Sequence, residues 1–185
     1  MESARTVYGE RGWSGFNFRA VAVHASVSKD ALYRRYESRA DLLLAALTVP
    51  VASLDFEHHA SLRELLTAVA LQTLAEWSEP EGTIAFRLLV EATANPEIRD
   101  IYYDKLQGPH TRNWLSWIEE AIARGVLTGI EPRAFLDALL GGLMMRVMTT
   151  PPERRRHMAA HSETYVRELI DLLLTGAGYR FDARS

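Results

Sequence analysis

The chain has 185 residues, 48% hydrophobic and 24% charged, enough apolar material for a small head on a larger body and too much for a disordered chain. It holds no cysteine, which excludes disulfide scaffolds, zinc ribbons and thiol catalysis and fits a reducing cytoplasm. The net charge of -3 is unevenly spread: residues 1–47 carry seven Lys/Arg against five Asp/Glu, net +2, and the remainder 14 against 19, net -5, as expected of a basic nucleic-acid-binding head with a separate acidic regulatory part. The start of the chain lacks an apolar stretch of the secretory type, and the longest apolar run, 138–145, is far short of a membrane span, so no membrane partner is expected.

Along the chain apolar residues recur at intervals of three and four and no alternating β-branched run occurs, so every element is expected to be helical. A first helix ends near Arg11, where Gly12-Trp13-Ser14-Gly15 interrupts it. Asn17 suits the N-cap of a second helix over 18–25, a third spans 28–35, and Ser38 with Asp41 three residues on is an acidic capping box opening a fourth. Ser61-Leu62-Arg63-Glu64 is a further capping box, ahead of an apolar face running from Leu62 to Trp77. A helix from about 83 ends at Asn95, and Pro96 takes the N1 position of the next. After Gly108-Pro109 another helix carries Trp114, Trp117, Ile118, Ala121 and Ile122 and is closed by Gly125. Pro132 begins a long apolar helix to about Thr149. Pro151-Pro152 and Arg154-Arg155-Arg156 read as a loop or short solvated turn, and a last helix covers 162–175. The expected architecture is all-α, with about nine helices: a three-helix head containing a helix-turn-helix over 1–47 and a helical ligand-binding and dimerisation body over 48–185.

Only Ser26-Val27 separates the helices over 18–25 and 28–35. So short a turn forces a sharp crossing, the helix-turn-helix geometry in which the second helix enters the major groove. On that helix Ser28, Lys29, Asp30, Tyr33 and Arg34 face outward, while Val27, Ala31 and Leu32 face inward. Lys and Arg reach phosphates or guanine, and Tyr reaches phosphate through its hydroxyl. Asp30 either accepts from cytosine N4 or, in the first helical turn, complements the helix dipole. With Asn17, Phe18 and Arg19 at the start of the preceding helix, Val27 at the turn, and Arg39, these residues form the candidate DNA-binding set.

The segments Gly-Trp-Ser-Gly-Phe-Asn-Phe-Arg-Ala-Val-Ala (12–22), Ala25-Ser26-Val27-Ser28-Lys29, Leu32-Tyr33-Arg34-Arg35-Tyr36, Ser38-Arg39 and Asp41-Leu42-Leu43 resemble the TetR family of bacterial repressors. The Ala-Arg-Gly-Val-Leu at 123–127 and the long apolar helix beyond it resemble the regulatory domains of that family. The resemblance implies a head of helices one to three, a connecting fourth helix, and a ligand-binding, dimerising body. It implies a repressor released from double-stranded operator DNA by a small molecule. Four departures stand out. The first helix looks short, with no arm ahead of it. Ser26 replaces a usual Gly in the turn, at a cost of about 1–2 kcal/mol if that position is left-handed. Asp30 replaces a small neutral residue, and Arg39 a frequent Lys.

For the body, Trp77, Phe86, Leu89, Tyr102, Tyr103, Trp114, Trp117, Met144 and Met145 are candidates to line a cavity for an apolar or aromatic ligand, with His110, Asn113 and Arg146 as orienting groups. The helices over 132–149 and 162–175 are too apolar for a monomer's surface, and Gly141-Gly142 permits close approach of a second helix. A homodimer is expected to use Phe135, Leu139, Gly142, Leu143, Arg146, Tyr165, Leu169 and Leu173 in a four-helix interface. His157 with His161, and Glu57-His58-His59, are the alternatives for a metal site or acid–base cluster. Arg154 to Arg156 can meet anions, although such a run is more often a solvated face. No nucleophile elbow, phosphate loop or dinucleotide fingerprint occurs, so no enzyme and no cofactor are expected. A helical metalloprotein or enzyme, and a dimeric module that has lost DNA binding, are the competing classes.

Overall fold

The computed structural model describes residues 1–48, 61–80 and 82–180. Those residues form eleven α-helices and no strand: α1 (Glu2–Gly15), α2 (Phe18–Ala25), α3 (Lys29–Tyr33), α4 (Arg39–Leu47), α5 (Leu62–Ser78), α6 (Gly82–Ala94), α7 (Pro96–Asp100), α8 (Gly108–Ala123), α9 (Pro132–Met148), α10 (Arg155–Ala160) and α11 (Glu163–Gly176). A π-helical segment, Ile101–Gln107, joins α7 to α8, and a 3-10 turn, Pro152–Arg154, precedes α10. The chain divides into two compact units, Met1–Val51 with Pro80–His110, and Ala52–Glu79 with Thr111–Ser185.

The first unit is built on one apolar cluster. Val7, Tyr8, Phe16, Leu42, Leu43 and Ala46 from α1 to α4 are buried with Ile84, Leu88, Ala92, Ile98 and Tyr102 from the later segment. Each fully buried Leu or Phe in such a cluster contributes about 1.5–3 kcal/mol of transfer free energy. Burial and the neighbouring Tyr103 push the Tyr102 phenol up to about 12.

Helix α1 is longer than the sequence suggested and is broken rather than ended at Gly12, whose backbone lies at φ 63, ψ -171. That conformation is open essentially to glycine alone. The break frees the Trp13 amide, which donates to Glu91 Oε2 at 3.0 Å, and the buried Tyr8 hydroxyl donates to the same oxygen at 2.6 Å. Burial and this hydrogen bond hold the Tyr8 phenol well above its ordinary pKa. Arg87 completes the clamp, with Nε 3.3 Å from Glu91 Oε1 and an Nη donating to the Gly9 carbonyl at 2.6 Å.

The caps follow the sequence. Asn17 accepts from the Ala20 amide, Ser28 from the Ala31 amide, Ser61 from the Glu64 amide, and Ser38 and Asp41 form the reciprocal capping box. Helix α3 is shorter than the expected 28–35, because the amides of Arg35 and Tyr36 both close on the Leu32 carbonyl as a terminal turn. Between α2 and α3, Ser26 is left-handed at φ 55, ψ 39, and the Val27 amide reaches back to the Ala22 carbonyl, a Schellman-type closure. Ser26→Gly relieves a Cβ penalty there. It is expected to stabilise the protein by about 1 kcal/mol, part of the relief being offset by the freer unfolded chain. A urea midpoint that fails to rise contradicts this.

In the second unit the buried positions include Leu65, Leu66 and Leu74 of α5, Phe135, Leu136, Leu139 and Leu143 of α9, and Val166, Ile170 and Leu174 of α11. Helices α9 and α11 approach closely at Gly142, where an added Cβ would meet the Leu169 side chain at 3.0 Å and whose carbonyl accepts from the Tyr165 hydroxyl. Arg63 forks onto Asp171 at 2.6 and 2.8 Å, and that hydrogen bonding holds the Asp171 carboxyl below the usual carboxylate range. The stretch expected to be a loop at 151–161 contains α10. Arg155 donates to the Val147 and Thr150 carbonyls at the end of α9, Met158 is buried, and Arg156 pairs with Glu79 at 2.6 Å. Two members of the arginine run are therefore committed to carbonyls and to a carboxylate within the unit, with orphan helix-end carbonyls among them.

Candidate nucleic-acid interface

Six residues of the expected DNA-binding set, Asn17, Phe18, Arg19, Lys29, Tyr33 and Arg39, line one open concavity of about 380 Å³. Its floor is an aromatic pair: the rings of Phe18 and Tyr33 have centroids 4.3 Å apart at 30°, and the Lys29 ammonium stands 5.1 Å above the Tyr33 ring. Phe18 is buried while Tyr33 is half exposed. Phe18 thus fixes Tyr33 from below and leaves its hydroxyl edge outward, and the cation–π contact holds Lys29 beside it. Asn17 caps α2 with its Oδ1 and donates to the Gly15 carbonyl. Arg19, Ser28, Asp30 and Arg34 are exposed, with Asp30 in the first turn of α3.

Val27 departs from the expectation. It was placed facing inward and is 46% exposed, because the left-handed Ser26 turns the chain out before α3 begins. Val23, on α2, is exposed as well. Ala31 and Leu32 are half-buried, and Leu32 packs against the cluster of the first unit.

Arg39 is already engaged. Its guanidinium lies 4.0 Å over the Trp13 ring, donates to the Trp13 carbonyl at 3.3 Å, and pairs with Glu97 Oε2 through Nη2 at 2.7 Å and Nε at 3.2 Å. Glu91, Arg87 and Glu97 escaped the sequence reading. The only sequence signal for the first two was an Arg–Glu pair four apart on α6, which usually marks a solvated helix face.

The remaining candidates fall in different places. Tyr102 belongs to the apolar cluster of the first unit, Leu89 packs against it, and Phe86 is buried in the same unit. Trp77, Asn113, Trp114, Trp117 and Met144 lie in the second unit, half-buried, with the Trp114 and Trp117 rings 5.6 Å apart at 50°. The side chain of His110 lies outside the described residues.

Of the expected dimer residues, Phe135, Leu139 and Leu143 are fully buried within the chain itself. They are core, since the inner face of α9 turns onto α5 and α11 and has no surface to offer a second copy. Gly142, Tyr165, Leu169 and Leu173 are half-buried at or near the α9–α11 approach, and Arg146 stacks over Tyr165 at 4.9 Å. The exposed apolar residues of α9 are Ala134, Ala138, Met145 and Met148, in one stripe with the half-buried Gly141, and α11 exposes Leu172. His157 and His161 place their rings 4.2 Å apart, and no group of three or more metal-ligating side chains occurs among the described residues. Glu57-His58-His59 lies outside them. No helix of the described residues is long and apolar enough to cross a membrane.

The sequence matches known families in two consecutive stretches, whereas the compact units interleave, with residues 80–110 in the N-terminal one. Residues 1–46 match the family of bacterial regulatory proteins, tetR family, and residues 56–173 match the tetracyclin repressor-like C-terminal domain. An uncharacterized HTH-type transcriptional regulator of Mycobacterium tuberculosis is 28% identical over 138 residues, 74% of this chain and 67% of the relative. Among solved structures, Salmonella enterica GusR shares the fold with a TM-score of 0.70 at 15% identity, over 94% of this chain and 92% of its own. The flavonoid-responsive regulator FrrA does so with a TM-score of 0.61 at 21% identity, over 100% and 95%. A chain with helices and no strand among its described residues, which matches both domains of one family and has an intact helix-turn-helix, belongs to the TetR family of bacterial transcriptional regulators.

Proposed function

We propose that this chain is a ligand-responsive repressor that grips operator DNA as a homodimer, with α3 in the major groove and the start of α2 on the backbone. The concavity built by Asn17, Arg19, Lys29, Tyr33 and Arg39 over the Phe18 ring carries the reading. It gathers cationic and hydroxyl donors around a rigid aromatic floor, the chemistry that phosphate and groove edges require. Lys29 and Tyr33 supply the central contacts. Arg34, Arg19 and the Ser28 hydroxyl flank them, Val27 offers methyl groups to thymine, and Asp30 sits where it can accept from cytosine.

The outward stripe of α9 with Leu172 of α11 forms the dimer face. The effector is a flat aromatic or apolar molecule held in the second unit by Trp77, Trp114, Trp117 and Met144, with Asn113 orienting it. The flavonoid response of FrrA supports that ligand class, and such a ligand acts by favouring a state whose two heads no longer match the operator.

Lys29→Ala and Tyr33→Ala test the interface. Each is expected to weaken binding to a duplex from the promoter region of the protein's own gene by about tenfold, and the Lys29 change to reduce the salt slope by about one. Lys29 is exposed, so its variant should melt with wild type, while Tyr33→Ala also loses the ring contact with Phe18 and should melt slightly lower but remain folded. Unchanged affinity in both variants, or binding indifferent to salt, contradicts the assignment.

A further inference from the structure

The DNA-binding reading places Arg39 at the concavity but leaves unused the ion pair that it makes with Glu97. Arg39 occupies the first position of α4, where the positive end of the helix dipole makes a cation unwelcome. Its location therefore calls for a reason outside its own helix. One is the concavity that it lines. The other is Glu97, whose single oxygen Oε2 takes both Nη2 at 2.7 Å and Nε at 3.2 Å. A guanidinium carries five N–H donors. Two are spent on Glu97 and a third on the Trp13 carbonyl. The side chains remain in contact with solvent, Arg39 at 34% and Glu97 at 62% exposure, so the pair can open when a competing anion arrives.

Glu97 lies in the first turn of α7, directly after α6, whose Glu91 accepts from the Trp13 amide. Trp13 is thus held on its N–H by Glu91, on its carbonyl by Arg39, and over its ring by the same guanidinium. Two acids from the α6–α7 segment converge, one directly and one through Arg39, on the residue that closes the α1 break.

We propose that Glu97 competes with a DNA phosphate for the Arg39 guanidinium, so that α7 partly neutralises the interface from within the chain. This rests on the reading of the concavity as the DNA interface. In the form described here Arg39 is satisfied by carboxylate. When the head docks, a phosphate oxygen replaces Glu97, and the exposed carboxylate swings into water. The exchange leaves Arg39 stacked on Trp13, which keeps the guanidinium aimed at the groove. Any effector that shifts α7 toward or away from α4 would change how many cations the head offers to DNA, without touching the recognition helix.

The test is a salt series of binding to two probes, a duplex selected from a randomised pool and a random-sequence duplex, with wild type, Glu97→Gln, Glu97→Ala, Arg39→Ala and the double variant Arg39→Ala/Glu97→Gln. The expected result is that Glu97→Gln and Glu97→Ala tighten binding to both probes by about three- to tenfold with little change in salt slope, because Arg39 meets the phosphate in either case, whereas Arg39→Ala lowers the slope by about 0.9 for each head. In the Arg39→Ala background Glu97→Gln should change nothing. Weaker or unchanged binding by both Glu97 variants overturns the proposal and makes the carboxylate a positioning group instead. Equal tightening with and without Arg39 also overturns it, because Glu97 then repels DNA through its charge alone. If wild type binds neither probe in a salt-dependent way, the DNA-interface reading itself has failed, and Lys29→Ala identifies that case separately. Melting curves on each variant separate loss of fold from loss of contact.

Discussion

Leu172→Glu combined with Met145→Glu is expected to convert the protein to monomers and to lower operator affinity by about a hundredfold or more. Both side chains are largely exposed, at 70% and 56%, so nothing inside the chain needs them. Exposed apolar side chains that recur along one outward helix face mark a surface that is covered in the functional assembly. A carboxylate in the middle of such a face must be desolvated without a partner, which a helix-on-helix interface does not tolerate. In the proposed dimer the operator effect is larger than that of any single contact, because two linked heads make the second half-site encounter intramolecular. Losing that linkage forfeits an effective concentration worth about two to four orders of magnitude. Sedimentation at micromolar concentration checks the first half and a gel shift the second. A double variant that remains a dimer with an unaltered helical spectrum removes this face from the assembly.

Gly12→Ala carries the second large effect, on stability. At φ 63, ψ -171 an alanine pays for a backbone region that only glycine enters freely, of order 1–3 kcal/mol. Its Cβ would also press on Glu91 Oε1 and lie within 2.6 Å of an Arg87 nitrogen, so the clamp on Tyr8 and Trp13 must give way. The two costs together come to about 2–4 kcal/mol, or very roughly 5–15 °C in melting temperature for a chain of this size. Glu91→Gln separates them: it spares the backbone, keeps hydrogen-bonding capacity at the site, and should cost less than half as much. A Gly12→Ala protein that melts with wild type shows that α1 can run through position 12 unbroken.

The helical character and the caps at Asn17, Ser28 and Ser38 could be read from the chain, because local hydrogen-bonding chemistry and helical spacing fix them; of the six residues at the concavity, spacing pointed to Lys29 and Tyr33, and the resemblance to a known family brought in the others. The left-handed turn could be read conditionally, as a cost that Ser26 would meet. What could not be read depends on contacts remote in sequence. Glu91 and Glu97 look like ordinary surface acids until α6 and α7 are seen beside Trp13, 78 residues away in the case of Glu91. Phe135, Leu139 and Leu143 looked like interface because α9 is apolar on more than one side, and periodicity does not say which side meets its own chain. α10 was missed because two prolines and three arginines resemble a loop, whereas two of those arginines are spent on carbonyls and on Glu79.

The cluster that joins Val7, Phe16 and Leu43 to Ile84, Leu88 and Ile98 has a bearing on birth at the ribosome. A chain emerging from its N-terminus at about 5–20 residues per second exposes the helix-turn-helix before part of the apolar cluster that packs its unit has been translated. Residues 80–110 must leave the exit tunnel before the apolar sides of α1 and α4 are covered. The recognition helix therefore becomes competent late in synthesis, after α5 has already emerged, and a transcript truncated between these segments yields a sticky fragment in place of a half-sized DNA binder.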